Sequence, residues 1–125
     1  MEQLILHMLG DYITQSHRMA TEKTKSWFWA FIHASVYVMP FILLVKSWKA
    51  YVVIGVTHMV IDRLRLARYV IFFKNWLNSS SMKWSDCSTT GYPSDTPAWL
   101  AVWLMIIADN VIHIVINYLS IRYLV

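Results

Sequence analysis

The chain has 125 residues, 58% of them hydrophobic and 14% charged, with 11 Lys and Arg against 7 Asp and Glu. That length sets one domain, 1–125, and the composition is apolar for a soluble protein. The basic residues lie between apolar segments without the clustered footprint of a nucleic-acid binder, and a single cysteine, Cys87, excludes an internal disulfide.

The pattern predicts four helices. The first runs from about Glu2 to His17; its apolar part is too short to cross a bilayer and contains Asp11, so it reads as a partial or re-entrant helix. Its start (MEQLILHMLGDY) lacks the basic region and cleavage site of a signal peptide. A polar stretch, HRMATEKTKS, follows. The second helix runs from about Trp27 to Val45, long enough to span, with a kink expected at Pro40. The KSWK turn leads into a third helix from about Ala50 to Leu77, apolar at first and then carrying Arg63, Arg65, Arg68 and Lys74. A turn-rich loop with Gly91 and Pro93 precedes Thr96-Pro97, an N-cap followed by proline at the first helical position. The fourth helix then extends to about Arg122. Aromatics at the ends of the apolar runs suit the interfacial belts of a membrane protein. The expected fold class is therefore all-α: an integral membrane helical bundle of three spanning helices plus one short N-terminal partial helix. The basic end of the third helix is expected on the cytoplasmic side, although Lys46 and Lys49 on the opposite side weaken that orientation.

Three histidines stand four residues from an aspartate within apolar segments: His7 with Asp11, His58 with Asp62, and Asp109 with His113. Four residues place both side chains on one helical face. An ionised carboxylate among hydrocarbon is unfavourable unless paired, solvated or bound to a metal. The first and third helices read His then Asp, and the oppositely directed fourth reads Asp then His. Reversed motifs on antiparallel helices predict one layer of aspartates and, about 6 Å away, one of histidines. His33, only six residues into the second helix, is expected to enter at a lower level, either as a ligand or as a satisfied helix histidine. His17 in the polar turn reads as solvated.

Imidazole and carboxylate together suit a divalent transition metal, zinc foremost, with manganese, iron or nickel also accepted. The expected ligands are His7, Asp11, His33, His58, Asp62, Asp109 and His113. Six paired ligands exceed one structural zinc site and would allow two metals with a bridging carboxylate. Metal-bound water is acidified, so one of the three aspartates, Asp11, Asp62 or Asp109, would act as general base or bridging ligand, with Asp62 and Asp109 foremost, and Arg65 would hold an anionic group. The bland counterparts are buried His–Asp hydrogen bonds for the pairs, and for Arg65 neutralisation of Asp62 or reach to the headgroups. Asn110 and Asn117 read as donors behind the site or as contacts between helices.

The stretches HMLGDYITQSHRMATEKTKS, FIHASVYVMPF, THMVIDRLRLARYVIFFKNW and GYPSDTPAWLAVWLMIIADNVIHIVINY resemble a family of small phage and bacterial membrane proteins catalogued as domain of unknown function 3307. The resemblance covers nearly the whole chain and falls on His7, Asp11, Gln15, His33, His58, Asp62, Asp109 and His113. It implies the architecture and the polar positions and no particular reaction. More loosely, the HxxxD pairs resemble those of membrane-bound metal-dependent hydrolases and a ligand pattern of zinc-dependent phosphodiesterases, an analogy of motif alone. Three expectations follow. One is a metal-dependent hydrolase of an ester or phosphoester, with membrane lipid as partner. Another is a proton or cation pathway through the same residues. The third is a phage effector that binds a host membrane protein. A homo-oligomer in the bacterial inner membrane is expected, because three spanning helices bury little alone; no nucleic-acid partner is expected.

Overall fold

The computed structural model describes residues 2–125, whose regular elements are helices, with no strand among them. The helices are α1 (Glu2–Met8), α2 (His17–Glu22), α3 (Trp27–Val38), α4 (Trp48–Leu64), α5 (Leu66–Asn78), α6 (Trp84–Cys87) and α7 (Ala98–Leu124). A π-helical turn, Leu9–Ile13, continues α1, and a 3-10 turn, Met39–Leu43, continues α3. Proline at position 40 has no N–H to give, which ends the α-helical ladder where the kink was expected.

The sequence pattern reads residues 50–77 as one helix, but the chain breaks at Arg65. Its φ of 51° is left-handed, which separates α4 from α5. No glycine or proline marks the break. A non-glycine residue in this region is disfavoured by roughly 1–2 kcal/mol. The Arg65 guanidinium compensates by donating from Nη2 to the Thr89 carbonyl at 3.0 Å. The predicted first helix is likewise divided: the π turn ends at Ile13, and Ser16 caps α2 by accepting from the Met19 N–H.

The chain forms two compact units, one of Met1–Leu64 with His113–Val125, the other of Arg65–Ile112. In the first, α3 packs on α4 and also contacts the π turn. Gly10 makes that approach work, because a Cβ there would stand 2.7 Å from the Tyr37 carbonyl oxygen and 2.8 Å from its ring. The apolar core is Leu6, Tyr37, Phe41, Val45, Ala50 and Ile54. In the second unit, α5 carries the loop that contains Gly91, whose φ of +85° and contact with the Arg68 carbonyl leave no place for a side chain. Arg68 donates to the Ser88 carbonyl at 2.9 Å and lies over Tyr69 and Trp84.

Several polar side chains are buried beside the apolar core, and several large apolar ones are exposed. His7, His33, His58, Asp62, His113 and Asn117 are buried, while Phe28, Phe31, Ile42, Leu43, Trp99 and Trp103 are exposed. Among the described residues one helix, α7, is long and apolar enough to cross a membrane, and only 11% of its most apolar window is buried. The apolar stretch Trp27–Leu43 is shorter. One such helix is weak support for membrane association, and three spans are not established by length and composition.

Candidate metal centre

Four side chains of the first unit converge: Asp11 from the π turn, His33 from α3, and His58 and Asp62 from α4. All four are buried, and one ligand atom from each lies within 4.8 Å of every other. The inner separations are tighter. His33 Nε2 is 3.0 Å from His58 Nε2 and 3.2 Å from both Asp11 Oδ1 and Asp62 Oδ2. His58 Nε2 is 3.3 Å from Asp62 Oδ2 and 3.9 Å from Asp11 Oδ1. A tetrahedral zinc with ligands near 2.0–2.1 Å has ligand–ligand edges of about 3.3–3.4 Å, so this set matches the size of a zinc shell.

The same geometry is poorly served by hydrogen bonds alone. Each neutral imidazole carries one proton, and a carboxylate carries none. Two Nε2 atoms and two carboxylate oxygens facing a common centre therefore present more acceptors than protons. A cation at that centre removes the conflict, and the structure supplies one. Lys23, on the turn after α2, extends its ammonium to 2.8 Å from Asp62 Oδ2, 3.4 Å from Asp11 Oδ1 and 3.2 Å from His33 Nε2. The sequence pattern places Lys23 in a polar stretch and does not mark it as part of the centre. A basic residue amid HRMATEKTKS carries no sign that its side chain turns inward.

Of the three local pairs, His58 and Asp62 keep the predicted one-turn contact. His7 and Asp11 diverge into different partnerships. The π turn has more residues per turn than an α-helix, so a spacing of four no longer keeps one face. Asp11 consequently meets His33. His7 Nδ1 instead lies 2.8 Å from the Tyr37 hydroxyl, which also accepts from Asn117 Nδ2 at 2.6 Å. Thus His7 is buried nearby without being one of the four converging residues. His33, expected at a lower level, is at the centre of the group. His113 bonds through Nε2 to Asp62 Oδ1 at 3.2 Å, a partner 51 residues away, and so fixes the carboxylate whose other oxygen faces the four-residue centre. Gln15 donates to the Asp11 backbone carbonyl at 2.9 Å. Arg65 and Asp109 belong to the second unit, as does Asn110, whose amide donates to the Ile106 carbonyl at 2.7 Å.

Aromatic packing fixes the imidazoles. The Tyr37 ring stacks on His58 with centroids 3.6 Å apart and planes 10° from parallel. The Nδ1 atoms of His58 and His33 are without hydrogen-bond partners among the described residues. Ligation through Nε2 would place a proton on each Nδ1. The donor set itself, two imidazoles and two carboxylates, is borderline in softness and fits zinc as well as manganese, iron or nickel.

Cys87 is buried in the second unit. Burial pushes its thiol up, with Asp86 and Asp95 adding to the effect, which disfavours the nucleophilic thiolate.

No curated protein and no solved structure matches the chain. One family matches residues 1–122, described as Protein of unknown function (DUF3307), and the chain belongs to that family.

Proposed function

We propose that this chain is a membrane-embedded metalloprotein that holds a divalent transition metal, zinc by best fit, at Asp11, His33, His58 and Asp62. The single observation that carries this reading is the set of ligand-atom separations, 3.0 to 3.9 Å among buried nitrogens and oxygens drawn from three separate segments. Exposed apolar side chains around a buried polar centre support the membrane placement. The bacterial inner membrane and self-association through exposed aromatic faces are parts of the same proposal.

The chemistry we assign is hydrolysis of an ester or phosphoester reached from the membrane. A bound zinc supplies an acidified water there when a coordination position is open. Asp11, His33, His58 and Asp62 would hold the metal, which would supply an acidified water only if one of these positions were left to solvent. Asp62 is suited to this, because His113 holds its other oxygen and keeps it close as a proton acceptor. Purified protein loaded with zinc should cleave a chromogenic phosphodiester or carboxylic ester, and Asp62→Asn should abolish turnover. Zinc-loaded protein that binds metal yet cleaves neither class, nor phospholipid, rejects the hydrolase assignment.

A specific observation favours a second reading, proton or cation passage. Asn117, Tyr37 and His7 form one buried hydrogen-bonded set, and His113, Asp62, His33, Asp11 and Lys23 form another. Both lie in the same unit, as a relay through a bundle would require. Flux of a pH-sensitive dye in proteoliposomes, lost in Asp62→Asn, distinguishes this reading from hydrolysis.

A further inference from the structure

Lys23 stands on the edge of an exposed segment yet ends inside the centre. Helix α2 buries none of its residues, and the Lys23 side chain retains 15% of its exposure. Its ammonium contacts three of the four atoms assigned to the metal. A zinc about 2.0 Å from those atoms would lie too close to that ammonium for both to stay, and an ammonium has no lone pair to donate. The turn itself is tethered, since Arg63 Nη1 donates to the Thr24 carbonyl at 2.9 Å. What is free to change is the four-carbon side chain, whose stem already reaches the surface.

Resting on the metal reading above, we propose that Lys23 is a built-in cation that caps the centre, and that a divalent metal enters by displacing its ammonium. Charge supports the exchange. With neutral imidazoles, Lys23 offsets one of the two carboxylates, whereas a divalent ion offsets both. A buried carboxylate left uncompensated is strongly unfavourable, so the cap keeps the metal-free centre folded. The lysine therefore sets the affinity threshold: only an ion that outcompetes a tethered ammonium is retained. Alkali ions at cellular concentration are excluded on this ground, and a transition metal that gains imidazole bonds is admitted.

The test compares zinc affinity of wild type, Lys23→Met and Lys23→Arg by competition with a chromophoric chelator on the full chain in detergent. Removing the competing charge should tighten zinc binding at least tenfold in Lys23→Met, while Lys23→Arg should bind no tighter than wild type. Equal or weaker binding by Lys23→Met overturns the inference and leaves the metal site intact; weaker binding is the mark of an amine ligand. Absence of zinc binding in both wild type and Lys23→Met overturns the metal reading itself. Because Lys23→Met can fail to fold without metal, wild type carries an independent readout. An amine-acylating reagent followed by peptide mass spectrometry should label Lys23 slowly in metal-free protein and several-fold faster with zinc. Zinc binding with unchanged Lys23 labelling contradicts displacement.

Discussion

Replacing Tyr37 with phenylalanine separates what holds the bundle from what holds a metal. The hydroxyl accepts from Asn117 Nδ2 at 2.6 Å and meets His7 Nδ1 at 2.8 Å, and all three residues are buried. Removing it takes a partner from two buried polar groups without taking away the groups themselves. Each loss costs about 1 kcal/mol, and the total reaches about 2 kcal/mol. In lipid, as the proposed membrane placement would have it, the loss falls toward about 1 kcal/mol, since a chain unfolded in the membrane also finds partners. The ring that stacks on His58 is retained, so zinc affinity should stay within about threefold of wild type. Stability is read from reversible denaturant unfolding in mixed micelles, and affinity from chelator competition. The double variant Tyr37→Phe/Asn117→Leu should recover part of the loss, because the amide left without its partner is gone. A Tyr37→Phe change below about 0.5 kcal/mol would refute the buried network. A tenfold drop in zinc affinity with unchanged stability would instead place the hydroxyl in the metal centre.

Three other outcomes are expected. Gly10→Ala drives a methyl group into the Tyr37 backbone at 2.7 Å, and overpacking of this kind should destabilise the chain by about 1–3 kcal/mol in the same unfolding measurement. His113→Ala removes the group that holds Asp62 Oδ1; zinc affinity should fall roughly 10–100-fold without abolishing binding, as measured by chelator competition. Cys87, buried and with its thiol pushed up, should resist maleimide at neutral pH until denaturant is added, which a timed mass-spectrometric labelling experiment reads directly.

Much of the centre is legible in the sequence because carboxylates and imidazoles in apolar runs have few reasons to be there. Asp11, His58, Asp62 and His33 were all named as ligand candidates on that ground. Helical spacing correctly joined His58 to Asp62, which lie on one regular helix. It failed for His7 and Asp11, where a π turn around Gly10 rotates the carboxylate away, and a π turn has no strong residue signature. Partners chosen across the fold, His113 with Asp62 and His33 with Asp11, follow from packing and have no local trace. The break at Arg65 escaped notice for a similar reason. Arginine is a good helix former, and the bonds its guanidinium makes to the Thr89 carbonyl and to Met105 Sδ are not legible from local sequence. Lys23 is the largest omission, because a long flexible side chain on a surface turn reaches a buried site that its neighbours in sequence do not approach.

The most direct measurement is the metal content of detergent-purified protein prepared without chelator, by inductively coupled plasma mass spectrometry, beside folded Asp62→Asn and His58→Ala variants. The account predicts about one zinc or other divalent transition metal per chain in wild type, and less than a tenth of that in either variant. No metal in wild type, and none retained after incubation with zinc, would contradict it and leave Lys23 as the permanent cation of a structural polar core.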